Sequence, residues 1–113
     1  MLTEKIHPGE FILDAGNEPI AKDAIVIAAA AGAMPAGQVL GQITASGKYT
    51  AYAPAASDGS EVAAGILWAG VPDLSVDQPG LAVVRIAEVD GALLTGLDTA
   101  ARAALAAKYI IVR

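Results

Sequence analysis

The sequence predicts a single small domain of the α+β class, mainly β, with one short helix near its C-terminus and an extended N-terminal arm. The 113 residues suffice for only one hydrophobic core. Short apolar runs separated by glycine and proline turns occupy the middle of the chain, as is typical of strands. One alanine-rich stretch near the end has helix-forming composition, and strands and helices do not alternate along the chain.

The N-terminal region differs in character from the rest of the chain. Residues 1–22 are predicted to form a flexible arm, and residues 23–113 the folded domain, because the arm contains turn formers and no sustained periodicity. Its apolar triplet is Phe11, Ile12 and Leu13. This triplet either docks on its own domain or adds to the edge of a partner's sheet, and the residues alone favour neither alternative.

The first predicted strands lie in the middle of the chain. Residues 24–27 are rich in β-branched side chains, which favour a strand. Residues 38–44 and 49–53 flank a short polar turn that contains Gly47. This pattern predicts a β-hairpin in which the glycine takes the left-handed backbone conformation.

The second half predicts two further strands, a helix and a closing strand. Residues 62–69 are almost wholly apolar, and an internal glycine favours strand over helix. Residues 71–80 are predicted to form an acidic loop, and residues 81–87 a strand. Residues 98–108 are strong helix formers that begin with an aspartate suited to the N-cap. Residues 109–113 are β-branched and are expected to form a strand at a sheet edge.

Composition bears on which partners the protein has. Twelve acidic and seven basic residues give a net charge of −5, and the bases are scattered singly, which disfavours nucleic-acid binding. The longest charge-free stretch, residues 24–47, is interrupted by Pro35 and turns polar, so we expect no membrane-spanning segment. The chain has no cysteine, which excludes disulfides and thiolate metal sites.

Candidate catalytic groups lack partners in the sequence. The single histidine, His7, lies in the predicted arm. Residues 41–48 nearly match a phosphate-binding loop but have the wrong glycine spacing and lack the hydroxyl residue after the lysine. The closest carboxylate pairs are Asp73 with Asp77 and Glu88 with Asp90, and both have the spacing that chance gives in an acidic chain. We therefore expect no enzyme activity, no cofactor and no metal site.

Aromatic side chains define the alternative interpretation, a small-ligand or carbohydrate-binding β domain. Such a domain needs exposed rings on which a ligand can stack. The candidates are Phe11, Tyr49, Tyr52, Trp68 and Tyr109. Trp68 lies in the most apolar run, which favours a place in the core over an interface.

Several segments of the middle region carry a family resemblance. The most specific is the turn Asp58-Gly59-Ser60 followed by Val-Ala-Ala-Gly-Ile-Leu at residues 62–67. Together with residues 39–44, this pattern resembles the head decoration protein family of bacteriophage lambda and related prophages. Weaker similarity at residues 81–88 and 110–112 extends the resemblance over residues 20–113.

The resemblance implies a fold and a function. It implies a β-tulip domain that binds as homotrimers to the outer surface of an expanded icosahedral head and acts as cement against the pressure of packaged DNA. The implied partner is the major capsid protein, and the implied location is the virion surface after assembly in the host bacterial cytoplasm.

In that family the N-terminal arm pairs with the major capsid protein. By resemblance, capsid binding would fall here to Phe11, Ile12 and Leu13. We therefore expect deletion of residues 2–20 to abolish capsid binding and to leave the melting temperature nearly unchanged.

Overall fold

A computed structural model describes Pro8, residues 11–14 and residues 21–113, and it confirms the predicted mainly β class with one short α-helix. The remaining residues of the predicted arm, His7 among them, lie outside the described residues. The strands are β1 Ile12–Asp14, β2 Lys22–Ile27, β3 Val39–Gln42, β4 Tyr49–Ala51, β5 Ala63–Leu67, β6 Gln78–Val83, β7 Ala87–Val89 and β8 Ile110–Val112. A 3-10 turn spans Gly91–Leu93, and the helix, α1, spans Thr99–Ala106.

Five strands close into a barrel in the order β2-β4-β3-β5-β6, with β6 returning to β2. Alternate residues of β2 point into the barrel, where Ile25 and Ile27 pack in a cluster with Leu40 and Leu67. The predicted hairpin is confirmed as β3 and β4, and Gly47 in its turn has a φ of 73°. The predicted strand at residues 62–69 is also confirmed, as β5.

The remaining strands form a small second sheet in the order β1-β7-β8. β7 pairs antiparallel with β1 and parallel with β8. The inner face of this sheet buries Val89 and Ile110 against Leu105 of α1 and against Phe11. The predicted final strand is therefore confirmed as β8, which lies at a sheet edge.

The helix begins where the sequence predicts. The Asp98 side chain accepts a hydrogen bond from the backbone N–H of Ala101 at 2.7 Å, which is the geometry of an N-cap. The helix ends at Ala106, two residues before the predicted end, and Tyr109 then takes a φ of 62°. This left-handed residue turns the chain from α1 into β8.

The prediction for residues 81–87 was wrong in one respect, because two strands replace the single predicted strand. Ile86 has a φ of 52°, and this bend directs the chain from β6 in the barrel to β7 in the small sheet. β6 also begins at Gln78, inside the predicted loop. Pro79 fits there because its partner on β2 is Val26, at a position without ladder hydrogen bonds between the two strands.

Candidate functional site

The small sheet contains the free strand edges of the described structure. The barrel is closed, so its five strands leave no edge, whereas β1 and β8 each pair on one side only. The backbone of Val112 on the outer side of β8 already accepts a hydrogen bond from the Arg102 guanidinium at 3.0 Å. Among the described strands, β1 pairs with β7 alone, so its other edge has no described partner strand. Unpaired backbone groups at such an edge are a template for pairing with another strand.

Exposed apolar side chains gather at the same sheet. The described residues include eight large apolar side chains that are exposed, and half of them lie on the small sheet or directly before its strands. These four are Leu13, Ile86, Tyr109 and Ile111. On the outer face between β1 and β8, Glu88 forms an ion pair with Arg113 at 3.1 Å. The four exposed apolar side chains are therefore accompanied at this sheet by an ion pair whose two charges offset each other.

The predicted arm triplet divides between the core and the surface. Phe11 is fully buried, and its ring meets that of Trp68 edge to face with centroids 6.2 Å apart. Ile12 is half-buried against the same core. Leu13 is 53% exposed. Of the two alternatives left by the sequence, docking on the own domain applies to Phe11 and Ile12. Addition to the edge of a partner's sheet stays a prediction, and Leu13 is the exposed member of the triplet.

Trp68 links this docked segment to the barrel. Its ring is half-buried and packs on the core that contains Phe11, in agreement with the place in the core that the sequence favoured. The ammonium group of Lys22 lies 4.1 Å from the ring centroid, close enough for a cation–π interaction. β1 is thus held by the ladder with β7 and by aromatic packing through Phe11.

The turn Asp58-Gly59-Ser60 has a packing role rather than a chemical one. The Asp58 side chain accepts hydrogen bonds from the backbone N–H and the hydroxyl of Ser60, and these bonds lower the pKa of the carboxyl. Ser60 is buried, and its backbone crowds Gly41 of β3, where an added Cβ would lie 2.5 Å from the Ser60 carbonyl oxygen. The turn therefore fastens the loop before β5 onto the barrel.

Three of the four carboxylates considered as catalysts have structural roles in the described structure, and Asp73 is exposed at the surface. Asp77 forms an ion pair with Lys48 and accepts a hydrogen bond from the backbone N–H of Ala29, and the Lys48 ammonium is the main cause of its lowered pKa. Glu88 pairs with Arg113, and Asp90 caps the 3-10 turn.

A metal centre and a membrane-spanning helix are two further features that would bear on function. Within it, histidine, aspartate and glutamate side chains form no group of three that could hold a metal ion. No helix found there has the length and apolar character needed to span a bilayer.

The aromatic side chains do not form a common stacking surface among the described residues. Tyr52 is buried and donates a bifurcated hydrogen bond to the Asp98 carboxylate, and Tyr49 is half-buried at the barrel seam. Phe11 and Trp68 pack on each other. Tyr109, at 73% exposure, is the aromatic side chain of this group that reaches solvent most fully.

Comparison with known protein families identifies the family of this chain. The family model described as bacteriophage lambda head decoration protein D matches residues 1–110. The chain belongs to this family. Head decoration proteins are structural components of the phage capsid, so the fold described above is that of a capsid component. No curated protein matches the chain at the significance required.

The family match is broader than the sequence resemblance. It includes residues 1–19, where the resemblance did not extend, and therefore all of the predicted arm. The part of the chain that matches the family thus includes β1. Neither the strand edge of β1 nor the exposure of Leu13 was predictable from the sequence. Ile86 gave no signal in the sequence, and Tyr109 was visible there only as one of five aromatic candidates for ligand stacking.

Proposed function

We propose that this head decoration protein binds as trimers to the outer surface of an expanded phage head and stabilises the head against the pressure of packaged DNA. Family membership supports decoration of the head. The observation that carries the proposal further is the contrast between the closed barrel and the small sheet. Among the described residues, the small sheet combines a strand edge without a described partner strand with a group of exposed apolar side chains.

The proposed contact to the major capsid protein lies at β1. An extended segment of that protein would pair with the free edge of β1, so that main-chain hydrogen bonds supply affinity. Leu13 would then contact the partner through its exposed side chain. Phe11 and Ile12, packed on the core, would hold β1 in position for this pairing.

The electrostatic balance supports a place outside the shell. A net charge of −5 gives no attraction to the DNA packaged within, because DNA binding draws on Lys and Arg contacts to phosphates. The candidate acids are engaged in ion pairs, caps or turns, with Asp73 at the surface as the exception. We propose that the protein acts through contact area and not as an enzyme, and that it uses no cofactor.

Trimeric binding follows from the same proposal. Each copy offers a small contact surface, and three linked copies that engage neighbouring capsid sites gain affinity through effective concentration. A trimer that bridges capsid subunits opposes their separation when internal pressure rises. The cysteine-free chain has no need of an oxidising compartment, which agrees with assembly in the host bacterial cytoplasm.

Co-sedimentation with expanded, decoration-free heads of its own phage tests the proposal. We expect the wild-type protein to pellet with the heads and Leu13→Asp to remain in the supernatant. Val62→Asp is a matched control, because Val62 is exposed to a similar extent, 56%, and directly precedes β5 of the barrel instead of belonging to the small sheet. Absence of co-sedimentation of the wild type at every salt concentration would contradict the proposal.

A further inference from the structure

The five-stranded barrel closes through its shortest strand pairing, between β2 and β4. β2 pairs with β6 along its whole length, from Lys22 to Ile27. The register of β2 with β4 is a single pair, Ile27 opposite Tyr49, and the N–H of Ala28 donates to the Tyr49 carbonyl at 2.8 Å. Among the described strands, backbone pairing therefore holds this β2–β4 seam near one end of β2.

A groove lies along the rest of the seam. It has a volume of about 400 Å³, with residues 23–26 of β2 on one side and residues 46–49 of the hairpin on the other. Asp23, which lines the groove, forms its ion pair with Arg85. If the seam parts, the barrel becomes a curved sheet in the order β4-β3-β5-β6-β2, and few backbone hydrogen bonds are lost.

One side chain bridges the seam at the end where the two strands meet. Asp77 directly precedes β6, and its carboxylate accepts a hydrogen bond at 2.9 Å from the N–H of Ala29, two residues beyond β2. The other carboxylate oxygen forms the ion pair with the ammonium group of Lys48, which directly precedes β4. A single carboxylate thus contacts the segment that follows β2 and the segment that precedes β4.

The electrostatics of this bridge favour a local role. The hydrogen bond from Lys48, followed by that from the backbone of Ala29, lowers the pKa of Asp77, so the side chain is held as a carboxylate. The side chains of Lys48 and Asp77 are 39% and 40% exposed, and ion pairs so open to solvent add little to the stability of a whole domain. The same interaction has a larger share where little else joins two elements, as at this seam.

We infer that the β2–β4 seam is the place where the barrel opens within the folded protein, and that Asp77 is the clasp that keeps it closed. Opening separates β2 from the hairpin, while β2 stays paired with β6 and β3 stays paired with β5. The small sheet remains in place, because none of its strands pairs with β2 or β4. The inference goes beyond the proposed function, since it concerns the free protein and does not depend on the head.

Amide hydrogen exchange of the folded protein, followed residue by residue by NMR, tests the inference. The N–H of Ala28 reports the seam, and the N–H of Trp68, which donates to the carbonyl of Leu81, reports the pairing of β5 with β6. We expect Ala28 to exchange faster than Trp68 in the wild type. Its rate should also depend less on low concentrations of urea, because local opening exposes less surface than global unfolding.

Two variants weaken the clasp to different extents. Asp77→Ala removes the ion pair and the hydrogen bond from Ala29, and we expect it to accelerate exchange at Ala28 about tenfold. Lys48→Met removes the ion pair alone and should give a smaller acceleration at the same amide. Both variants should remain folded, because the side chains that they remove are partly exposed.

Asp98→Ala is the matched control. Its carboxylate also accepts hydrogen bonds from a side chain, that of Tyr52, and from a backbone N–H, that of Ala101, but it lies outside the seam. Asp98→Ala should lower the stability of the whole domain and leave exchange at Ala28 unchanged.

Three results would overturn the inference. The first is an equal rate and an equal urea dependence at Ala28 and Trp68 in the wild type, which would mean that the seam opens only with the whole domain. The second is exchange at Ala28 that Asp77→Ala leaves unchanged, which would mean that Asp77 does not hold the seam. The third is acceleration at Ala28 by Asp98→Ala as large as that by Asp77→Ala. None of these results bears on head binding, so the proposed function is tested separately.

Discussion

The hydroxyl of Tyr52 donates one bifurcated hydrogen bond to the Asp98 carboxylate, with its oxygen 3.0 and 3.1 Å from the two carboxylate oxygens. The same carboxylate caps α1 by accepting from the N–H of Ala101. One aspartate thus joins the residue after β4 of the barrel to the first turn of the helix that covers the small sheet. The helix itself contacts both β5 of the barrel and β8 of the small sheet, so this junction ties the barrel to the element that packs on both sheets.

Asp98→Ala is expected to destabilise the domain by about 1 kcal/mol, because the N-cap of α1 is lost. Tyr52→Phe removes one hydrogen bond and leaves the cap, so its loss of unfolding free energy should be smaller. Urea denaturation of both variants measures the order. A larger effect of Tyr52→Phe than of Asp98→Ala would contradict the role assigned to the cap.

Alkaline pH should weaken the domain through Tyr52. Burial, followed by the hydrogen bond and the charge of Asp98, raises the pKa of Tyr52 above its ordinary value of 10.0. A folded-state pKa above the unfolded value means that the stabilisation is complete below about pH 10 and is lost as the pH rises through the folded value. The free energy of unfolding of Tyr52→Phe should therefore fall less steeply above pH 10 than that of the wild type.

Tyr49 contributes to the same alkaline loss and provides an internal comparison. Burial and the nearby Asp23 raise its pKa also, so Tyr52→Phe should reduce the alkaline slope and not abolish it. Equal slopes for wild type and Tyr52→Phe between pH 9 and 12 would contradict the assignment.

Gly59→Ala should test the turn that fastens the loop before β5. Gly59 has a φ of 110°, and an added Cβ would lie 2.6 Å from the backbone oxygen of Gln42. Gly32 also has a positive φ, 89°, but an added Cβ meets nothing within 4 Å. Gly59→Ala should therefore cost about 1–3 kcal/mol more than Gly32→Ala, because crowding adds to the same backbone strain. Equal losses in chemical denaturation would show that the turn is loosely packed.

Phe11→Ala should destabilise the domain by about 3–5 kcal/mol, because the ring is fully buried against Trp68. Leu13→Ala, two residues away and exposed, should change stability by no more than about 0.5 kcal/mol. Denaturant titration of the two variants makes the comparison. A small loss for Phe11→Ala would place this segment outside the core.

The burial of Phe11 also changes the expectation for the truncated protein. Deletion of residues 2–20 removes β1 and the Phe11 ring, so it should lower the melting temperature markedly instead of leaving it unchanged. Deletion of residues 2–7 spares both and should lower it little. Loss of head binding after the longer deletion alone would consequently not separate a contact role from unfolding, and Leu13→Asp provides that separation.

Local patterns were sufficient to predict much of the fold. The hairpin around Gly47, the strand at β5 and the N-cap at Asp98 are each set by neighbours in sequence. The break at Ile86 was not predictable in this way, because an isoleucine within an apolar run favours continuation of the strand. The start of β6 was not predicted because proline disfavours a strand. Pro79 is tolerated there because its partner position on β2 has no ladder hydrogen bond. The pairing of β2 with β6 is a tertiary property.

The candidate site was predictable only in part for a similar reason. The triplet at residues 11–13 was visible as an apolar group in a polar segment. Its division into buried Phe11 and exposed Leu13 depends on the position of Trp68 and of β7 in space. The left-handed backbone conformation of Ile86 and Tyr109 could not be predicted, because no residue pattern at these positions indicates it.

Cryo-electron microscopy of expanded heads after addition of the purified protein tests the central claim most directly. We expect the protein to appear on the shell in groups of three copies, with β1 against the shell and a partner strand paired with β1. Heads without added density would contradict the account. Bound copies that turn the barrel toward the shell and leave the small sheet in solvent would contradict it as well.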